Sequence, residues 1–164
     1  CSPQLTNALP EVVEVARAAA ADLGVELRVA GQAGKATTYR FSAGYRGGAE
    51  NPVTSVLRRH HVWGCTAHQK RVPEAVFRLP RARLARFLNR LFATDGTAWV
   101  ARAGYARIGY ASVSEALARD VAHLLLRFGI RAKVRQRHIQ YNGATRPSFE
   151  VEVMDSASLI QFAD

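Results

Sequence analysis

The sequence predicts a mixed α/β (α+β) fold in which one helix–strand–strand–helix unit occurs twice. Two observations carry this expectation. Segments with apolar residues at helical spacing alternate with segments whose side chains alternate at period two. In addition, Leu23-Gly24-Val25-Glu26-Leu27-Arg28-Val29 matches Phe128-Gly129-Ile130-Arg131-Ala132-Lys133-Val134, each preceded by a long helix and followed by two strands and a short helix. A third observation bears on function. The chain carries 23 Lys and Arg against 13 Asp and Glu, a net charge of +10.

Residues 9–23 read as the first helix, with Pro10 in its first turn and Val12, Val13, Val15, Ala16, Ala19, Ala20 and Leu23 on its buried side. Gly24 is placed to close it. A strand at 25–29, a glycine-rich turn at 31–34, a strand at 37–43 and a loop at 44–48 follow. Asn51-Pro52 has the cap and first-turn chemistry for a short helix to about residue 61. Residues 62–69 read as irregular and 73–77 as one helical turn.

Residues 81–96, RARLARFLNRLFATDG, form the central helix. At 3.6 residues per turn it divides into three sectors. Leu84, Phe87, Leu88, Leu91 and Phe92 make an apolar stripe; Ala82, Ala85, Asn89 and Ala93 make a stripe of small side chains; Arg83, Arg86 and Arg90 make a cationic one. Pro80 stands just before the first turn and Gly96 supplies the stop. Asp95 is out of place, because an acid in the last turn opposes the helix macrodipole, and on the wheel it projects toward the apolar sector. It either begins a T-D-G turn or holds a cation.

Beyond Gly96 the pattern changes to a β-hairpin, Trp99-Val100 and residues 105–111 around Ala103-Gly104. Ser112 or Ser114 caps a second long helix, 114–128, with Leu117, Val121, Leu124, Leu125 and Phe128 inward and Gly129 closing it. A strand at 130–141, a turn at Asn142-Gly143, a strand at 148–154 and a short helix at 156–162 complete the chain.

No apolar run approaches the ~18–20 residues that span a bilayer, and no signal peptide is expected. The basic excess favours a polyanion, nucleic acid before an anionic membrane. Cys1 and Cys65 match no zinc, disulfide or redox spacing, so a cytoplasmic location is expected. The five histidines form no ligand pattern. In RAKVRQRH, Arg131, Lys133, Arg135 and Arg137 recur at period two, so one face of that strand is expected to be wholly cationic. Arg40, Arg46, Arg102, Arg107 and Arg146 lie on or beside the other hairpin strands. Such rows match a DNA backbone, or base edges in a major groove that admits a β-ribbon.

The decapeptide FLNRLFATDG, residues 87–96, resembles the second dodecapeptide motif of LAGLIDADG homing endonucleases in the form carried by inteins. Lys70-Arg71-Val72-Pro73 is similar to the lysine–proline block before that motif, and SVSEALARDVAHLLLRFGIRAKV, residues 112–134, to the block after it. The family usually has Gly where this chain has Arg90. The resemblance implies two pseudo-repeats whose antiparallel sheets form a DNA-binding saddle, with two motif helices side by side on a pseudo-twofold axis. Each helix ends in an acid that holds an essential divalent ion, Mg²⁺ or another. Here that acid is Asp95, with the backbone carbonyl near Thr94 as a second oxygen and Lys70 in the place of the family's catalytic lysine.

On this resemblance, residues 1–79 are a first half-repeat and connector without its motif helix, and 80–164 are a second half-repeat headed by it. The implied function is metal-dependent double-strand cleavage of a specific DNA site by the endonuclease portion of an intein, fused to splicing segments and a host protein. Cys1 is not read as a splicing nucleophile, because CSPQLTNALP lacks the G-D-T pattern and the chain ends QFAD. A catalytically silent DNA-binding module or degenerate insert on the same fold, and an RNA-splicing maturase, remain as alternatives. An acidic helix upstream of Cys1 is expected, and without it the Ala85/Asn89/Ala93 stripe is left uncovered.

Overall fold

A computed structural model describes residues 2–34, 36–44, 49–102, 104–141 and 143–163. They form two compact units, Cys1–Trp63 and Gly64–Asp164, each with its own antiparallel sheet and its own core. With two such sheets and six helices among the described residues, the fold is the mixed one the sequence predicts.

The first unit runs β1 (Gln4–Asn7), α1 (Pro10–Asp22), β2 (Glu26–Ala33), β3 (Ala36–Ser42) and α2 (Pro52–Arg59). Pro10 opens α1, and Gly24 closes it at φ 66°, with Gly24 N–H bonded to the Ala21 carbonyl and Val25 N–H to that of Ala20. Asn51 caps α2 by accepting from Val53 N–H at 2.9 Å, while its amide donates to the Phe41 carbonyl. The strand order is β1-β3-β2. Val13, Ala20, Val25 and Leu27 form a small core that Tyr39, Phe41 and Val53 extend. β1 is not foreseen in the sequence, because polar QLTN has no strand signal until β3 pairs with it, Gln4 opposite Arg40. A bulge between Val29 and Gly31 carries β2 past the expected turn, which tightens only at Gly34, φ 60°.

The second unit begins with a 3-10 turn (Ala67–Gln69) and runs α3 (Glu74–Phe77), α4 (Arg81–Asp95), β4 (Gly96–Val100), β5 (Ala106–Ser112), α5 (Glu115–Leu126), β6 (Ala132–Tyr141), β7 (Ala144–Val153) and α6 (Ser156–Ala163). Its strand order is β4-β5-β7-β6. Leu84 and Leu88 of α4, Val121, Leu124 and Leu125 of α5, and Tyr110, Val151 and Val153 from one face of the sheet make the core. Burying Leu84 and Leu88 stabilises α4 against the sheet by ~1.5–3 kcal/mol apiece. Gly129 repeats the Gly24 closure at φ 75°, with Ile130 N–H bonded to the Leu125 carbonyl. The order β5-β7-β6 also repeats β1-β3-β2, so the internal repeat extends to topology.

Two boundaries that differ from expectation shape the second unit. The second strand of the last hairpin starts at Ala144 rather than Ser148, and Pro147 lies within it, opposite His138. The helix-to-strand junction is abrupt: Asp95 ends α4 and Gly96 begins β4, opposite Tyr110. Gly96 does not stop the helix by a left-handed turn, since its φ is −80° and ψ 158°. Glycine is required because a Cβ there would stand 2.4 Å from the Phe92 carbonyl oxygen.

Candidate nucleic-acid interface and motif acid

Asp95 is set by the junction just described. The Gly96 N–H closes the last turn on the Phe92 carbonyl, which leaves later carbonyls of α4 outside the helix ladder. Thr94 is exposed, and its hydroxyl donates back to the Leu91 carbonyl at 3.0 Å and the Arg90 carbonyl at 3.3 Å. Asp95 is itself exposed rather than turned into the apolar sector, because the chain leaves the helix at the next residue. It is nevertheless felt within the sheet. Burial, and then the Asp95 charge, push the Tyr110 phenol up to about 12. Tyr110 packs against Phe92, ring centroids 5.7 Å apart.

Lys70 arrives from another direction. It follows the 3-10 turn, and its backbone carbonyl accepts from the Ser114 hydroxyl at 2.7 Å. The same Ser114 oxygen accepts from Leu117 N–H and caps α5. Next to it, the Asp120 carboxylate of α5 accepts from Arg71 Nε and Nη2 at 3.3 and 3.2 Å and from Val72 N–H at 3.1 Å. That carboxylate holds the Arg71 guanidinium above its usual pKa, first through the hydrogen bond and then through its charge. The Lys-Arg-Val-Pro segment is therefore clamped to α5 by its backbone, and the Lys70 side chain is exposed. Among the described residues no hydrogen bond or ion pair joins Lys70 to Asp95.

The sheet of the second unit turns one face to the core and the other outward. In register, Lys133, Arg135 and Arg137 of β6 lie opposite Glu152, Glu150 and Ser148 of β7 on the outward face. The wholly cationic face expected from β6 alone is corrected here: β7 interleaves two acids with it. Glu152, only 5% exposed, pairs with Arg135 Nε at 3.2 Å through Oε2 and with Arg137 Nη2 at 2.9 Å through Oε1. Arg137 Nε also contacts Glu150 Oε2, as a charge contact rather than an aligned hydrogen bond. Arg131 lies outside the strand and pairs with Asp155 at 3.6 Å. Asp155 caps the first turn of α6, and those bonds to Ser158, ahead of the Arg131 charge, lower its pKa. Sequence reasoning missed Glu150 and Glu152. Their signal was the period-two FEVEV run, whose meaning depends on which strand it faces.

The remaining arginines are dispersed. Arg107 on β5 is half-buried and donates to the Met154 carbonyl at 2.9 Å. Arg102 is exposed in the β4–β5 connection, and Arg146 is exposed on β7 toward the hairpin end. Arg40 is exposed on β3 in the first unit, between Gln4 and Arg28. Arg46 lies outside the described residues. Among the described residues no group of three His, Cys, Asp or Glu side chains is placed to hold a metal ion. Asp95 and the carbonyls of the last helical turn thus fit a hard cation only as part of a donor set, short of the six oxygens such an ion prefers. No helix among the described residues is long and apolar enough to cross a membrane.

Residues 82–164, more than half of the chain, match the sequence profile described as a LAGLIDADG-like domain. The chain is also similar to proteins named replicative DNA helicase DnaB. It is 37% identical over 117 residues to that of Synechocystis sp. (70% of this chain, 13% of the relative). To that of Rhodothermus marinus it is 34% identical over 119 residues (71% and 12%). With the protein named RecA of Mycobacterium tuberculosis it shares 32% identity over 134 residues (73% and 17%). The chain thus spans under a fifth of the length of these relatives.

Proposed function

The chain belongs to the LAGLIDADG-like family, and from that premise we propose that it is the endonuclease portion of an intein, cleaving duplex DNA at a specific site with a divalent metal ion. The observation that carries the reading is Asp95: an exposed carboxylate at the end of the family-matched helix, joined without a loop to a sheet whose outward face carries ordered arginines. The intein setting is supported by recurrence. A similar segment occupies 12–17% of proteins as differently named as DnaB and RecA, as an insert carried by several hosts would.

In this reading residues 1–79 and 80–164 are two half-repeats, the second headed by the motif helix. Asp95 and the carbonyl near Thr94 would hold a divalent cation, Mg²⁺ the first choice, which when bound activates water and neutralises phosphate charge. Lys70, on a clamped backbone, would meet the phosphate with a mobile ammonium. Lys133, Arg102 and Arg146 would contact the DNA backbone, together with Arg40 and Arg46 of the first half. Arg107, Arg131, Arg135 and Arg137 are each tethered and present fixed donors.

A second reading, a catalytically silent DNA-binding module, is favoured by one observation: among the described residues no three His, Cys, Asp or Glu side chains are grouped to hold a metal ion. The 164-residue chain is incubated with Mg²⁺ and supercoiled plasmids carrying a library of random inserts, and the topological forms are separated. Linear product supports the endonuclease. Nicked product alone supports one active half, and sequence-selective binding without either form supports the silent module. Asp95→Asn is expected to abolish the metal-dependent product while duplex affinity stays within about twofold. Product formed by the variant at the parental rate removes Asp95 from the reaction.

A further inference from the structure

We propose that Glu152 is a positioning residue that turns Arg135 and Arg137 from phosphate-neutralising cations into a rigid pair for reading bases. The inference rests on the DNA-binding reading above and adds to it the source of sequence preference.

Glu152 is the more buried of two acids on a face offered to a polyanion, a costly place for it if affinity alone mattered. Opposing charge repels phosphate, and burying a carboxylate costs several kcal/mol before its partners offset it. Its partners are specific. One carboxylate oxygen holds Arg135 Nε and the other holds Arg137 Nη2, and Glu150 contacts Arg137 Nε from beside it. The second guanidinium nitrogen of Arg135, Nη2, lies 3.6 Å from Met154 Sδ.

Both Nε groups lie in ion-pair contact with a carboxylate and Arg137 Nη2 donates one hydrogen to Glu152, which leaves Nη1 and the second Nη2 hydrogen of Arg137 at the outer tip. That tip is a planar two-pronged donor, the shape that matches the O6 and N7 acceptors of guanine in the major groove. A freely rotating arginine must be ordered on binding, whereas this pair is ordered beforehand by carboxylates lying beneath it. Two arginines over two glutamates sum to no net charge, so the cluster adds little to counterion release. The face separates two tasks: Lys133, a flexible point charge, for phosphate, and the Glu-braced arginines for sequence.

The test uses the full chain and two variants, E152Q and R137K. Each is given a randomised duplex library for selection, and its affinity for a fixed random-sequence duplex is measured across a salt series. Circular dichroism melts establish that each is folded. E152Q keeps the side-chain shape and removes the charge. It is expected to bind the random duplex at least as tightly as the parent, with a salt slope steeper by about one. Its preference at one or two base pairs should fall about fivefold or more. R137K keeps the charge and loses the fork, and is expected to lose preference at the same positions with no change in slope. A purely structural Glu152 would weaken both kinds of binding together and leave the selected sequence intact, and that result overturns the proposal. Should E152Q not fold, an unchanged selected sequence from R137K overturns it alone. A parent chain that binds no duplex removes the DNA-binding reading, and this inference with it. A parent that selects a sequence indifferent to both substitutions removes this inference only.

Discussion

Replacing Gly96 by Ala is expected to destabilise the second unit, although alanine is normally the more favourable residue. The backbone at 96, φ −80° and ψ 158°, is one that alanine adopts freely. Loss of chain entropy in the unfolded state alone would then favour Ala by ~0.4–1 kcal/mol. Against this stands the contact a Cβ would make: 2.4 Å to the Phe92 carbonyl oxygen, 2.9 Å to Phe92 Cα and 3.0 Å to its carbonyl carbon. All three are backbone atoms of a helical turn, and none can rotate aside. Relief requires the last turn of α4 to open. That breaks the Gly96-to-Phe92 hydrogen bond, about 1 kcal/mol net, and adds overpacking strain of ~1–3 kcal/mol. Roughly 1–3.5 kcal/mol of destabilisation remains, about 2.5 at the middle of the range. For a unit of this size that lowers the melting midpoint by roughly 10–20 °C. Thermal unfolding followed at 222 nm reads the shift directly. A variant melting at or above the parent would show that the junction is loose and that glycine serves another purpose there.

Three further outcomes follow from the same unit. Tyr110 is kept neutral by burial and by Asp95, so its contribution is complete below pH 10, the ordinary phenol value, and is lost as pH rises toward about 12. Tyr110→Phe should flatten the alkaline limb of the stability–pH curve, and identical limbs in parent and variant would contradict this. Asp155 has the opposite sign: its depressed pKa stabilises above the ordinary value of 3.8 and is lost as pH falls through the lower, folded one. Asp155→Asn should remove that acid dependence, measured by melting between pH 5 and pH 2, a window set by carboxylate titration. Asp120→Asn should cost roughly 1–2 kcal/mol in denaturant unfolding, since charged hydrogen bonds contribute ~1.5–3 kcal/mol and solvent screens the exposed Arg71. A change below about 0.5 kcal/mol would mean that the clamp on the Lys70 segment lies elsewhere.

What was legible in the sequence was what the chain specifies locally. Helix α4 announced itself by its three-sector wheel, and α5 by Ser114 and Gly129, because caps and periodicity act within a few residues. The repeat was legible because Gly24 and Gly129 both require a left-handed backbone. The missed features depend on partners distant in sequence. Gln4–Asn7 is a strand only because β3 offers it a free edge. Glu150 and Glu152 read as ordinary alternating acids until the register brings them beside Arg135 and Arg137. The need for glycine at 96 was legible and its reason was not: the residue was expected to end a helix and instead permits a close approach.

The loopless passage from α4 into β4 works as a gauge. Because Asp95 is followed at once by the Gly96–Tyr110 pair, its position is indexed to a ladder of four antiparallel strands that ends at the arginines of β6. Strands slip only in whole residues, about 3.3 Å each, and a single step inverts every side chain on the strand. Such a slip would bring inward the Trp99 ring, which pairs across the strands with Arg107 and lies over Gly109 on the outward face, so intermediate positions are closed to the acid. Under the proposed activity, the interval along the duplex between the bond cut and the bases read is therefore a fixed property of the chain. Outward side chains can change and redirect the protein to a new sequence while the cut stays the same distance from it.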